Sequence, residues 1–114
     1  MNRKIILVIA LGLLTSCECW IFTKGKIVDS DSGRPIDNVT VEMTNFKAYP
    51  QTTDSTGNFE IRSGSYMTCP EENPILKFQA LGYETAEIEI NNEYRQLNKE
   101  GDTLFIRLSK LIKK

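Results

Sequence analysis

The sequence predicts an all-β fold, a seven-stranded antiparallel Greek-key β-sandwich, on three observations. Beyond residue 21, short runs of alternating apolar and polar residues recur along the chain. Gly, Pro, Asn, Asp and Ser separate these runs at intervals of roughly 8–12 residues, as in sandwich domains. No segment there has the sustained 3.6-residue period of a long amphipathic helix. Because the runs alternate cleanly, each sheet should have one buried face and one wet face.

Seven runs account for the predicted strands. They span residues 21–28, 39–43, 51–54, 59–62, 75–81, 84–90 and 103–108. In the second run, for example, Val39, Val41 and Met43 would share one face of the strand. Between the strands, we expect residues 63–73 to be irregular and residues 91–101 to form a polar loop.

The first sixteen residues have a different pattern. Arg3 and Lys4 precede an unbroken apolar run of ten residues, 5–14, which is followed by small residues and Cys17. Ten apolar residues are about half of the ~20 that a membrane-spanning helix needs. The zones of charge, apolar run and small residues are those of a cleaved secretion signal. We therefore predict that residues 1–16 are a signal helix that is removed.

Residues 14–17, Leu-Thr-Ser-Cys, resemble the lipobox of bacterial lipoproteins. In that class of protein, the cysteine thiol receives a diacylglyceryl group and the chain is cut just before the cysteine. The resemblance implies that Cys17 is lipidated and that residues 17–21 form a short tether. Cleavage before Cys19 is a poorer alternative, because charged Glu18 would occupy the small-residue position. The other alternative is an ordinary secretion signal followed by an incidental cysteine.

Length and charge limit the function of the mature chain. Removal of residues 1–16 leaves 98 residues, which is enough for one domain. Two of the 14 basic residues lie in the signal, so the mature chain has 12 basic and 15 acidic residues and a net charge of −3. Nucleic-acid binding would need clustered Lys and Arg. We expect no nucleic-acid partner.

Two cysteines remain once Cys17 is lipidated, Cys19 and Cys69. In an oxidising compartment outside the cytoplasm, an even number of cysteines favours a disulfide. Such a bridge would close a loop of about 50 residues and stabilise the fold by at most ~4 kcal/mol in the chain-entropy model. The alternative is two reduced thiols, because the sequence does not give the distance between the two residues.

Catalysis is not expected, because the chain contains no histidine. Its absence removes Ser-His and Cys-His nucleophile pairs, His-based zinc sites and the usual general base. Two carboxylate pairs remain, Glu71 with Glu72 and Glu87 with Glu89, and solvated surface charge explains both. We therefore predict no enzyme and no cofactor.

Residues 29–33, Asp-Ser-Asp-Ser-Gly, are similar to the start of a calcium-binding loop. A third acidic ligand and a distal glutamate are missing, so we favour a turn capped by its own Asp side chains. We predict no metal site.

Several aromatic and basic residues are candidates for surface contacts. Trp20 follows the lipobox closely and is expected in the membrane interface, whereas Ile21 and Phe22 are expected to pack mostly into the fold. Tyr49, Tyr66 and Tyr94 fall in predicted loops and are candidates for a binding platform. Residues 109–114 form a basic tail that either contacts anionic lipid or is frayed and solvated.

Five motifs occur in order along the predicted strands and turns: Gly25-Lys-Ile-Val-Asp29, Ser32-Gly33-Arg-Pro35-Ile36, Val39-Thr-Val41, Thr53-Asp54-Ser-Thr-Gly57-Asn-Phe59-Glu-Ile61 and Gly82-Tyr83-Glu84. This succession resembles the carboxypeptidase regulatory-like domain, a transthyretin-like β-sandwich, over residues 22–108. Family members are non-catalytic and occur beside peptidases, at the front of outer-membrane receptors and as small lipoproteins. The resemblance implies the last of these contexts, since 114 residues leave no room for the other two.

The motifs contain the residues that we expect to determine the fold, which are Gly33, Pro35, Asp54, Gly57, Phe59, Gly82 and Tyr83. Asp54 should accept backbone N–H bonds in its turn, and Gly57 should adopt a conformation that is costly for other residues. Phe59 should enter the core. Tyr83 should lie over the sheet edge with its hydroxyl in water.

Together these features predict a non-catalytic, lipid-anchored envelope protein that binds a protein partner or supports an assembly. The alternative is a glycan- or peptide-binding accessory module of a transporter or hydrolase system, which loop tyrosines converging at one end would favour. We expect the periplasmic face of the outer membrane. The cell surface is the alternative, but the acidic run that directs some lipoproteins there is incomplete after Glu18.

Overall fold

A computed structural model describes residues 19–111 of the chain. The predicted signal, the lipidation candidate Cys17 and residues 112–114 lie outside the described residues. The described part contains strands β1 (Phe22–Asp29), β2 (Thr40–Met43), β3 (Gln51–Thr52), β4 (Asn58–Arg62), β5 (Ile75–Gln79), β6 (Ala86–Glu89), helix α1 (Asn92–Asn98), β7 (Lys99–Glu100) and β8 (Thr103–Leu108).

The strands form two four-stranded sheets, and this confirms the predicted all-β sandwich. The first sheet has the strand order β4-β1-β8-β7, and the second has the order β3-β2-β5-β6. All pairs are antiparallel except β1 with β8, whose register aligns Gly25 with Leu104 and Asp29 with Leu108. A parallel pair needs a crossover connection. Here the connection is long, because all four strands of the second sheet lie between β1 and β8 in the sequence.

The prediction of seven strands and of a polar loop at residues 91–101 was wrong. Within residues 19–111 there are eight strands, and residues 92–100 form α1 and β7. The Asn91 side chain caps the helix by accepting a 2.8 Å hydrogen bond from the Tyr94 N–H. Glu93 in the first turn complements the helix dipole. Tyr94 is therefore helical, and it packs against the core rather than lying in a loop.

The core lies between the inward faces of the two sheets. Ile27 and Ile106 of the first sheet, and Val41 and Phe78 of the second, are fully buried. Phe59 and Phe78 join the sheets through an edge-to-face contact with ring centroids 5.8 Å apart. Buried residues alternate with more exposed ones along β8, as expected for a strand with one buried face. The end of β1 differs, because Ile27, Val28 and Asp29 are all buried.

The predicted turn residues occupy tight bends. Gly33, Gly57 and Gly82 have φ of 72°, 77° and 86°. Gly57 is also confined by its neighbours, since a Cβ there would lie 2.6 Å from the Ile27 carbonyl oxygen and 3.0 Å from Pro35 Cβ. Only glycine fits both constraints without strain.

Asp54 organises the turn before β4. Its Oδ1 accepts hydrogen bonds from the Thr56 hydroxyl at 2.7 Å, the Thr56 N–H at 2.9 Å and the Asn58 N–H at 3.0 Å. These hydrogen bonds lower the pKa of Asp54 below its usual value, and the one from the Thr56 hydroxyl has the largest effect. The turn delivers Phe59, which is 3 % exposed, into the core.

The sandwich has two ends, which are defined by the first and last residues of β1. Phe22 begins this strand and Asp29 ends it, roughly 23 Å away at ~3.3 Å per residue. The N-terminal end comprises residues 19–22 and the loops that contact them, and the far end comprises the surroundings of Asp29. No helix in residues 19–111 is long and apolar enough to cross a membrane.

Candidate functional site at the N-terminal end

The first described residues are fixed to the rest of the fold by a disulfide and by backbone hydrogen bonds. Cys19 and Cys69 form a disulfide across a separation of 50 residues, with Cα atoms 5.1 Å apart. Cys19 and Tyr66 exchange backbone hydrogen bonds of 2.9 and 2.6 Å. Two residues later, the Ile21 N–H donates to Ser63 Oγ at 2.8 Å. Residues 19–21 thus extend β1 along the segment that follows β4.

Large apolar side chains remain exposed at this end. Trp20 and Phe22 are 48 % and 47 % exposed, and Met67 and Tyr49 are 93 % and 86 % exposed. The prediction that Phe22 packs mostly into the fold was therefore wrong, because its side chain lies on the outward side of β1. The Arg62 guanidinium lies over the Trp20 ring, 5.5 Å from its centroid, which is a cation–π distance. Four of the seven large hydrophobic side chains exposed in residues 19–111 are therefore at the N-terminal end.

Two grooves open on either side of Phe46. The first, called the tyrosine groove, has a volume of about 600 Å³ and is lined mainly by Phe46, Ala48, Tyr49 and Arg62. The second, called the acidic groove, measures about 580 Å³ and includes Tyr66, Cys69, Glu71 and Glu72. An isolated bridge between Ala48 and Ser63 brings the two loops that form these grooves together.

The three loop tyrosines predicted as a platform have different roles. Tyr49 borders the tyrosine groove and Tyr66 borders the acidic groove. Tyr66 packs edge-to-face on Phe46 with ring centroids 5.8 Å apart. Tyr94 lies elsewhere, and its hydroxyl donates to the Phe105 carbonyl at 3.3 Å. Burial raises the pKa of Tyr94, which fits a structural position.

A third groove, called the basic groove, lies beside Phe22. Its volume is about 300 Å³, and its charged lining residues are Lys24, Arg95, Lys99 and Asp102. Sequence reasoning missed this groove, because Arg95 and Lys99 belong to the helix and short strand that were predicted as a loop. Sequence reasoning also missed Phe46 and Arg62, which no local motif marks.

The far end is closed by a polar network around Asp29. This side chain is 4 % exposed, and its Oδ1 accepts from the Asp31 and Ser32 N–H groups at 2.8 and 3.0 Å. Its Oδ2 accepts from the Tyr83 hydroxyl at 2.8 Å and lies 3.6 Å from Lys110 Nζ. The pKa of Asp29 is lowered to about 2. The largest cause is the hydrogen bond from the Ser32 N–H, followed by those from the Tyr83 hydroxyl and the Asp31 N–H and then by the charge of Lys110.

This network corrects the prediction that the Tyr83 hydroxyl lies in water, because the hydroxyl donates to Asp29. The hydrogen bond raises the pKa of Tyr83. The chain after β8 adds two backbone bonds, from Leu111 N–H to the Gly82 carbonyl and from Glu84 N–H to the Ser109 carbonyl. Part of the predicted basic tail is therefore hydrogen-bonded to the Gly82 turn.

The carboxylates weighed as catalytic or metal-binding groups are not gathered into a site. Glu71, Glu72, Glu87 and Glu89 are all exposed. Exposed carboxylates lack the desolvation that tunes a general acid or base. Among residues 19–111, no three His, Cys, Asp or Glu residues are placed to hold a metal ion. The four glutamates are therefore solvated surface charges.

Comparison with known proteins places this architecture in a family. A search of curated proteins found no significant match. A family model, described as the CarboxypepD_reg-like domain, matches residues 23–106. The match begins in β1, ends in β8 and includes strands of both sheets. It also agrees with the order of turn motifs along the chain. The protein therefore belongs to the carboxypeptidase regulatory-like domain family, whose β-sandwich is a non-catalytic module.

Proposed function

We propose that this protein is a lipid-anchored module of the bacterial cell envelope whose tyrosine groove binds a protein partner. The observation behind the binding role is the exposure of Tyr49, 86 %, above a groove of about 600 Å³ that also contains Phe46 and Arg62. Tyrosine and arginine are enriched among the residues that dominate binding energy at interfaces. Tyrosine offers a large rigid contact area at low entropic cost.

The anchor is proposed at Cys17. The positive residues, the apolar run and the Leu-Thr-Ser-Cys tetrad of residues 14–17 support lipidation there. Two or more acyl chains hold a protein on a membrane stably, whereas one chain holds it only marginally. We place the anchored domain on the periplasmic side of the outer membrane, where it would meet envelope proteins. Mass spectrometry of the mature N-terminus would test the modification, which a Cys17→Ser variant should lose.

A second candidate function is the binding of a glycan or an extended peptide. It is favoured by the position of Tyr49 and Tyr66 on either side of Phe46 at one end of the sandwich. Aromatic rings that line a groove offer flat apolar faces that suit either ligand. This candidate uses the same groove, so the test must separate the two classes of ligand.

The test is crosslinking in the native cells followed by capture through a C-terminal tag and quantitative mass spectrometry. Three forms are compared: the wild type, Tyr49→Ser and Leu81→Ser. Leu81 is fully exposed at the far end and serves as the matched control. We expect the wild type and Leu81→Ser to recover the same envelope protein, in the same amount per molecule of tagged protein. We expect at least about tenfold less with Tyr49→Ser, which is the effect of losing ~1.4 kcal/mol or more of binding energy.

Equal recovery of that envelope protein by Tyr49→Ser and the wild type would refute the tyrosine groove as the binding site. If no protein is recovered but the purified domain binds a glycan or peptide in a Tyr49-dependent manner, the second candidate function replaces the first.

A further inference from the structure

We propose that the N-terminal end of the sandwich rests directly on the lipid surface that anchors the chain. Trp20, Phe22 and Met67, called the docking patch, would lie among the lipid headgroups. The inference rests on the proposed lipidation of Cys17. It goes beyond anchoring because it fixes how the domain is oriented and which face is covered.

The first argument is the length of the tether. The disulfide and the backbone pair with Tyr66 fix Cys19 to the fold. Only Glu18 separates Cys19 from Cys17, and two extended residues reach at most ~7 Å. The headgroup layer of one leaflet is itself about 5–8 Å thick. A lipidated Cys17 would therefore hold Cys19 at the membrane surface, whatever the orientation of the domain.

The second argument is the chemistry of the surface held there. The three side chains of the docking patch are large, apolar and 47–93 % exposed. Trp20 lies in the paired segment that leads into β1 and is two residues before Phe22, so the two side chains point to the same side of the chain. Tryptophan is favoured at the membrane interface, where its ring is partly buried and its N–H remains hydrated. A lipid surface would bury apolar area that is otherwise in contact with water.

The third argument is the distribution of charge. Lys24, Arg95 and Lys99 surround the basic groove next to Phe22, with Asp102 as the one acidic residue that lines it. Clustered cations beside exposed aromatic side chains match an anionic headgroup layer. The outward face of the second sheet is net acidic, since it carries Glu42, Glu87 and Glu89 against one cation, Lys77. This asymmetry would tilt the docked domain so that the basic groove lies closer to the lipid than the second sheet does.

Docking also defines the approach to the tyrosine groove. Arg62 lines that groove and stacks on Trp20, so the groove opens beside the docking patch. A partner would reach Tyr49 along the membrane surface, and the far end would project roughly 23 Å from the N-terminal end.

The experiment uses Trp20 as the probe, because it is the only tryptophan in the chain. The full-length protein is expressed with its signal, purified after lipidation and reconstituted into phosphatidylethanolamine–phosphatidylglycerol vesicles. Half of the samples contain lipids brominated near the top of the acyl chains. The matched control is a Trp20→Phe, Leu81→Trp protein, which moves the probe to the far end. Flotation with the vesicles measures anchoring separately.

We expect the emission of Trp20 to shift to the blue and to be quenched at least twofold by the brominated lipid. We expect no quenching of the tryptophan at position 81. In a Phe22→Ser, Met67→Ser variant, which alters exposed side chains only, the quenching of Trp20 should fall by at least half.

The outcomes separate docking from anchoring. If the protein floats but Trp20 is not quenched, or is quenched only as much as the tryptophan at position 81, docking is refuted and the anchor stands. Unchanged quenching in the double variant would also refute the docking patch. If the wild-type protein does not float, the proposed anchor fails, and the docked orientation fails with it.

Discussion

The two ends of the β-sandwich are stabilised by different means. At the far end, the buried carboxylate of Asp29 accepts hydrogen bonds from two backbone N–H groups and the Tyr83 hydroxyl and lies near the Lys110 charge. At the N-terminal end, a disulfide fastens the entering chain, and Trp20 and its neighbours remain in contact with solvent. Burying those side chains would have stabilised the fold. We propose that they remain exposed because this end of the sandwich is a binding surface.

The largest effect is expected from the disulfide. In a Cys19→Ser, Cys69→Ser double variant, the unfolded chain regains the freedom of a loop of about 50 residues, so the free energy of unfolding should fall by up to ~4 kcal/mol. Urea denaturation of the variant and of the oxidised wild type at neutral pH measures the difference. A loss below about 0.5 kcal/mol would mean that backbone pairing alone secures the N-terminal end.

The next effect tests the close packing around the far end. Gly57→Ala places a Cβ 2.6 Å from the Ile27 carbonyl oxygen at a φ of 77°. Backbone strain and overpacking together should lower the free energy of unfolding by about 2–4 kcal/mol. Gly33 has a φ of 72° and open space around its Cβ position, so Gly33→Ala isolates the strain. It should cost about 1–2 kcal/mol, and equal losses in the two variants would refute the packing argument.

The Asp29 network should make the far end sensitive to acid. The pKa of Asp29 is about 2 in the folded protein and about 3.8 when unperturbed. Because the folded value is the lower one, its stabilisation is fully present above pH ~4 and is lost as the pH falls toward 2. An Asp29→Asn variant should therefore lose less stability than the wild type over that pH range. Thermal unfolding of both proteins at a series of pH values measures this, and parallel curves would contradict it.

Tyr83→Phe is a milder change in the same network. It removes the 2.8 Å hydrogen bond to Asp29 and should lower the melting temperature at neutral pH by roughly 4–8 °C. Losing this donor also brings the pKa of Asp29 closer to its usual value, so the stability that the variant loses between about pH 4 and pH 2 should be smaller than the wild type's loss. An unchanged melting temperature would show that the hydroxyl is equally well hydrated in the unfolded chain.

The smallest effect is an expected gain at the N-terminal end. The Thr23 hydroxyl is buried and has no hydrogen-bond partner within residues 19–111. Thr23→Val keeps the shape of the side chain and removes the buried polar group, so the free energy of unfolding should rise by about 1 kcal/mol. A loss of stability in urea denaturation would instead indicate a partner for this hydroxyl, such as a buried water.

Sequence reasoning predicted most strands because one-sided burial leaves a two-residue period. Val39, Val41 and Met43 are an example, since all three are buried. It failed at residues 91–101, where a seven-residue helix is too short to establish a period. The strand β7 has two residues and exists through its pairing with β8, so its own composition does not reveal it. The parallel β1–β8 pair joins distant parts of the chain, which local patterns do not encode.

The candidate site was harder to predict than the fold. The sequence places Tyr49 and Tyr66 in loops, but their arrangement around Phe46 depends on the bridge between Ala48 and Ser63. The Tyr83 hydroxyl was expected in water because nothing near it in the sequence identifies Asp29, 54 residues earlier, as its acceptor. Contacts of this kind arise from sheet packing and are seen only in three dimensions.

The central claim is that the N-terminal end, rather than the far end, meets the protein's partners. The most direct measurement is site-specific photocrosslinking in the native cells, with a photoreactive residue at position 49 or 81. Both side chains are exposed in the described structure and lie at opposite ends of the sandwich. The account predicts a discrete crosslinked envelope protein from position 49 and none from position 81. The same protein crosslinked from position 81 alone, or equally from both positions, would contradict it.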